Sequence, residues 1–179
     1  MAPEPDPGYF QFDDIIEKLP GIYHAFALST LGLVERLCKS CDLQGSTLAD
    51  ICAGTGRCAL TLASAVSHVY AVELQRGPSL FACKQIRARR IANVTYLRGD
   101  ANTLPLRSMS VDHAVGMWGV VNRREAERIV RPGGRVLLGG CAPGNMVGEL
   151  SPRVAHHLQD QGKSTVQWRL RLLSHQVDP

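Results

Sequence analysis

The chain has 179 residues, 45% hydrophobic and 20% charged, with a formal net charge of +4. That length fits one domain with a sizeable core, and the balance is that of an ordinary soluble globular protein. No apolar run approaches the ~20 residues of a membrane span, and MAPEPDPG, with alternating prolines and acids and no basic n-region, is expected to be a disordered lead rather than a signal peptide.

Residues 1–11 read as a flexible lead, 12–45 as an N-terminal helical cap, and 46–179 as the main domain. Asp13 and Asp14 suit a helix start. The helical pattern runs to about residue 37 and breaks at Leu19-Pro20-Gly21. Six cysteines without a secretory signal suggest reduced thiols and a cytoplasmic protein. Cys38 and Cys41 form a C-x-x-C, but Cys52 and Cys58 do not repeat that spacing, so no metal site is expected.

A strict alternation follows. The sequence predicts a strand at 47–52, a helix at 58–65, a strand at 68–73, an amphipathic helix at 79–91, strands at 93–98 and 110–117, a helix at 123–130 and a strand at 135–138 after Pro132-Gly133-Gly134. Strands alternating with helices mean βαβ units and a mostly parallel sheet with right-handed crossovers, an α/β fold. A helix at 146–161 and an alternating strand at 164–173 close the chain. Charge is uneven: Arg76, Lys84, Arg87, Arg89, Arg90, Arg98 and Arg107 face only Asp100. The bland reading is a solvated helix face, and the sharper one is an RNA-facing patch.

The segment LADICAGTGR carries the most information. It is an apolar strand ending near Asp50, then a turn in which Gly54 and Gly56 can adopt positive φ, then a helix start with unpaired N–H groups. Gly54-Thr55-Gly56-Arg57-Cys58-Ala59 fits the dinucleotide fingerprint, and Glu73 lies where a ribose-binding acid is expected, so NAD is one reading. Asp50 argues the other way, because a carboxylate there repels a pyrophosphate and stabilises an ammonium. Asp100, after the third strand, can accept from an exocyclic amine.

With LADICAGTGR, AVEL, GDANTLPL, SVDHAVGMW and RPGGRVLL in that order, the chain resembles the class I S-adenosylmethionine-dependent methyltransferases over roughly residues 48–139. The resemblance implies a three-layer Rossmann-like sandwich, seven-stranded in that family, although this chain has residues for only a shortened C-terminal strand pair. It implies S-adenosyl-L-methionine as cofactor. Asp50, Cys52, Ala53, Gly54 and Gly56 then form the turn at the methionine portion, Glu73 and Leu74 lie at the ribose, and Asp100 and Ala101 at the adenine. Leu104 is a candidate for packing on the adenine, and Trp118 for stacking on acceptor or cofactor. Cys52 stands where that family has its first glycine.

No catalytic base is assigned. His113 falls at the wrong end of its strand and reads as structural. Asn122 and Arg123 bind acceptor oxygens or cap a helix, and His24 with Tyr9, Phe10 and Tyr23 is expected in an N-terminal lid. The expected acceptor is a small molecule, with RNA second. A non-catalytic cofactor-binding partner subunit is the alternative outside enzymes.

Overall fold

The computed structural model of the protein describes residues 16–28, 42–117, 119, 121–140 and 171–176. They form α1 (Pro20–Leu28), β1 (Thr47–Ile51), α2 (Arg57–Leu62), β2 (His68–Glu73), α3 (Arg76–Ala88), β3 (Val94–Arg98), β4 (Val111–Met117), α4 (Arg123–Ile129), β5 (Val130–Gly140) and β6 (Arg171–Gln176). One sheet holds the strands in the order β3-β2-β1-β4-β5-β6. The first five are parallel and β6 is antiparallel to β5. The α/β class expected from the alternation is present.

The strand sequences are apolar on both sides because both sheet faces are covered. Leu48, Val69, Ala71, Val115 and Leu137 pack with Cys58 and Leu62 of α2. Ala49, Ile51, Val72, Ala114 and Val136 pack on the opposite face with Ala126 and Ile129 of α4. β1 is paired with β2 on one side and β4 on the other, so chain order reverses beside it. A crevice at the carboxyl end of β1 follows from that reversal.

Several boundaries differ from the sequence expectation. α3 starts at Arg76, not 79, because Gly77 and Pro78 lie inside its first turn, where a missing N–H costs nothing. Its regular geometry ends at Ala88, and Arg90 follows at φ 53. β5 runs from Val130, not 135: Val130 pairs with Val111, the register shifts, and Arg135 then pairs with His113. Pro132-Gly133-Gly134 is thus an irregularity within the strand, with Gly133 at φ 83, and not a turn before it.

Pro20 opens α1, whose first N–H groups, at Ile22 and Tyr23, donate to Leu19 O. Of the strand expected at 164–173, residues 171–173 lie in β6, and 164–170 lie outside the described residues. The helix expected at 146–161 and Cys38 and Cys41 lie outside the described residues. At the amino end of the sheet, Asp112 accepts from Thr47 N and Oγ1 at 2.7 Å each and pairs with Arg131. This ties β1, β4 and β5 together far from the crevice. No helix among the described residues is long and apolar enough to cross a membrane.

Candidate functional site

The chain leaves β1 through Cys52, which takes φ 58, and then Gly54 at φ 55 and Gly56 at φ 80. Both backbone groups of Gly54 are tied down. Its N–H donates to Glu73 Oε2 at 2.8 Å. Its carbonyl accepts from the Tyr96 hydroxyl of β3. Glu73 Oε1 also accepts from Gln75 N–H at 2.8 Å. The turn is therefore held by β2 and β3.

The two glycines serve different neighbours. A Cβ on Gly56 would sit 3.2 Å from Ala82 Cβ and 3.6 Å from Tyr96, so Gly56 lets α3 approach the turn. A Cβ on Gly54 would meet only the Tyr23 ring of α1, at 3.4 Å. Gly54 is therefore the glycine that lies under the Tyr23 ring. Gly119, after β4, lies against Cys52, where a Cβ would come 2.3 Å from the Cys52 Cβ.

Asp50 is 2% exposed. One carboxylate oxygen accepts from Ala59 N–H of α2 at 2.9 Å, so one of the helix-start donors is already satisfied. Burial pushes its carboxyl up to about 7, against the pull of the Ala59 N–H and Arg57, and Glu73 adds to the rise. Arg57 is itself buried, at the first position of α2, and lines the cleft with Tyr23, Asp50, Cys52, Ala53, Thr55, Cys58 and Met117. The Cys52 thiol is pushed up to about 12, first by burial, then by Glu73, Asp50 and Asp100. That thiol is no nucleophile at neutral pH.

Asp100 closes a short turn after β3. Its Oδ1 accepts from Asn102 N–H at 2.8 Å and Nδ2 at 3.1 Å, and Thr103 N–H donates to its carbonyl. Its other carboxylate oxygen meets no protein donor among the described residues. Ala101 and Leu104 are buried beneath this turn, and Leu74 is exposed after Glu73. Trp118, Tyr9 and Phe10 lie outside the described residues. His113 is remote, its Nδ1 accepting from Arg135 N–H at 3.1 Å. Asn122 caps α4 through Arg124 N–H, and Arg123 pairs with Glu127.

The sequence reading overlooked Arg57, Thr55 and Tyr96 as parts of the site. Arg57 and Thr55 stood inside the quoted motif. Tyr96 contacts the turn from 42 residues away, and nothing local in its strand marks it. Of the lid candidates, Tyr23 contacts Gly54, and His24 Nδ1 lies 2.8 Å from Thr55 Oγ1.

Residues 48–140 match the methyltransferase domain family, more than half of the chain. The chain belongs to the class I S-adenosylmethionine-dependent methyltransferases. It is 27% identical over 104 residues to a demethylmenaquinone methyltransferase of a Geobacillus species, covering 52% of this chain and 44% of that protein. It is 34% identical over 100 residues to the ubiquinone/menaquinone biosynthesis C-methyltransferase of Rubrivivax gelatinosus, covering 52% and 38%. The chain thus spans less than half the length of these curated relatives. A SAM-dependent methyltransferase structure from Aquifex aeolicus superposes with TM-score 0.56 at 20% identity, over 72% of this chain and 78% of that one, which shows the shared fold.

The family's cofactor is S-adenosyl-L-methionine, which when bound supplies a methyl group on a cationic sulfur. The residues of this methyltransferase domain fit it. Asp50 is a buried carboxylate at the glycine turn beside Arg57, and one Asp100 carboxylate oxygen meets no protein donor among the described residues, both compatible with a ligand that carries ammonium and amine groups.

One consequence concerns Glu73 alone. Glu73→Gln keeps one acceptor oxygen but places an NH₂ against either Gly54 N–H or Gln75 N–H. We expect about 1–2 kcal/mol lower stability by urea unfolding, the usual cost of a mispaired backbone donor. Unchanged stability would mean that Glu73 does not set the turn.

Proposed function

We propose that the protein transfers the methyl group of S-adenosyl-L-methionine to a small-molecule acceptor by in-line displacement. The observation that supports this reading is the glycine turn after β1, where Asp50 is buried and Glu73 and Tyr96 hold the two backbone groups of Gly54. In this reading Asp50, beside Arg57, holds the amino-acid end, with its carboxylate against the ammonium and the guanidinium for the carboxylate. Glu73 accepts from the ribose hydroxyls and Asp100 from the adenine amine, charge-assisted bonds that fix the ligand's orientation. Orientation is the main contribution the protein makes to such a displacement.

The cleft is nearly filled, with room for little more than a water molecule. The helix α1, with Tyr23 on Gly54, therefore acts as a cover that moves for the cofactor to enter. The curated relatives are named for quinone precursors, which makes a demethylated quinone the first acceptor to try. A second reading, RNA methylation, draws on Arg76, Lys84 and Arg87, which share one exposed stripe of α3.

Thermal shift with S-adenosylhomocysteine and with NADH tests the cofactor. Stabilisation by the former alone is expected, and a shift with NADH alone would overturn the reading. Turnover of labelled cofactor with quinone and RNA fractions separates the acceptors, and tight binding without turnover in any pool would favour a non-catalytic partner role. Asp100→Ala is expected to weaken S-adenosylhomocysteine binding by about 1–3 kcal/mol in calorimetry, the loss typical of a hydrogen bond to a charged group.

A further inference from the structure

The loop that carries Asp100 is held from both ends. At its start, Gly99 N–H donates to Glu73 O at 3.0 Å, and a Cβ on Gly99 would meet Pro105 Cδ at 2.7 Å, so the loop folds back on itself. At its end, Leu104 is gripped by α4. Its N–H donates to Glu125 Oε2 at 2.9 Å, and its carbonyl accepts from Arg128 Nη2 at 3.1 Å.

Glu125 and Arg128 are one turn apart on α4 and pair through two bonds of 2.7 Å, from Nε to Oε1 and from Nη2 to Oε2. Arg128 Nη1 then donates to Leu106 O at 2.9 Å and lies 3.4 Å from Ser108 Oγ. A planar guanidinium thus spends its whole fork on one carboxylate and two loop carbonyls, a geometry that an ammonium cannot reproduce. The Glu125 carboxyl is pulled down to about 2 by Arg128 and the Leu104 N–H, so the clamp stays charged at neutral pH.

We propose that the Glu125–Arg128 clamp is a positioning device for base recognition, setting the place of the Asp100 carboxylate so that the site selects an amino-purine over an oxo-purine. This rests on the cofactor reading above. Neither residue touches the base. Between Gly99 and Leu104 the Asp100 turn is closed by its own bonds, so it moves as a unit when its end is released. Releasing it leaves the Asp100 oxygen present but misplaced.

The test compares Kd values for S-adenosylhomocysteine and S-inosylhomocysteine by calorimetry, in the full chain. The inosyl compound carries an oxygen where the adenosyl compound has the amine. We expect the unaltered protein to prefer the adenosyl compound by about tenfold or more, as an unpaired polar group in a site demands. Arg128→Ala and Glu125→Gln should bring that ratio close to one. Arg128→Lys, the better-folded fallback, should lower the ratio without matching the fork. Asp112→Asn weakens a tie at the far end of the sheet, and should lower Tm with the ratio intact.

A ratio unchanged in Arg128→Ala and Arg128→Lys, with Tm lowered, would reduce the clamp to a structural tie and overturn the proposal. So would equal affinity for the two compounds in the unaltered protein. Failure of the unaltered protein to bind S-adenosylhomocysteine would instead overturn the cofactor reading itself.

Discussion

Asp50→Asn is expected to stabilise the ligand-free protein by roughly 2 kcal/mol at pH 8 while weakening cofactor binding about a hundredfold. The carboxyl is raised from its ordinary value to about 7 by burial, so the folded chain binds its proton more tightly than the unfolded chain. Below about pH 4 the group is protonated in both states and contributes nothing. Between pH 4 and 7 the unfolded chain ionises first, so stability falls as pH rises, and above 7 the full penalty is present. A shift of about three units corresponds to about 4 kcal/mol, of which an amide NH₂ without a partner gives back part.

The substitution keeps an oxygen for the Ala59 N–H, so the start of α2 is preserved. The gain should therefore shrink steadily in urea titrations as pH falls from 7 and be gone by about pH 4, where the carboxyl is neutral in both states. Cofactor affinity in the unaltered protein should run the opposite way. A cationic ligand requires the ionised carboxylate, so affinity should fall about tenfold per pH unit below 7. Equal stability of the two proteins at pH 8, or affinity indifferent to pH between 5 and 8, would show that Asp50 is not a strained anion held for a cation. The expected trade of stability for binding is a general property of sites that bury charge.

How much of this was legible depends on the distance each feature spans along the chain. The sequence placed β2 at its observed bounds, because HVYAVE is a short apolar run flanked by polar turns. Asp50, Glu73 and Asp100 were legible because each sits at or just past a strand's carboxyl end, and parallel strands bring those ends to one edge. The start of α3 was not legible, because Gly-Pro reads locally as a turn, and its first N–H groups find a partner far off in sequence. Tyr96 on Gly54 and Arg128 on Leu106 were equally invisible, since each joins segments 42 and 22 residues apart. The irregularity in β5 hid its first half, because a local Pro-Gly-Gly signal does not say that Val130 has already paired with Val111. Local signals therefore fixed which residues could bind a ligand, and tertiary contacts fixed how firmly they are held.

That long-range partner of α3 supports the second large expectation. Gly77 N–H donates to Glu17 Oε2 at 2.9 Å, and α3 has no acid of its own in its first turn. Glu17 thus places a negative charge at the helix start from 60 residues away, where it offsets the positive end of the helix dipole. The approach is close enough that a Cβ on Gly77 would lie 2.0 Å from Glu17 O, a backbone atom that cannot turn aside. Gly77→Ala should therefore cost about 3 kcal/mol of docking between the segment bearing α1 and α3. In an undocked helix the same change would stabilise by up to ~1 kcal/mol, so the sign alone decides whether the segment sits there.

Release of that segment also frees Tyr23 from Gly54 and His24 from Thr55. If α1 is the cover over the cleft, proteolysis near residues 16–28 should accelerate, and S-adenosylhomocysteine should both associate and dissociate faster in stopped-flow measurements. The cofactor contacts proposed for Asp50, Glu73 and Asp100 lie on the sheet side, so the ratio of the two rates should change less than either rate. A Gly77→Ala protein with unchanged stability and unchanged ligand kinetics would separate α1 from the site, and leave the cofactor cleft open in solution.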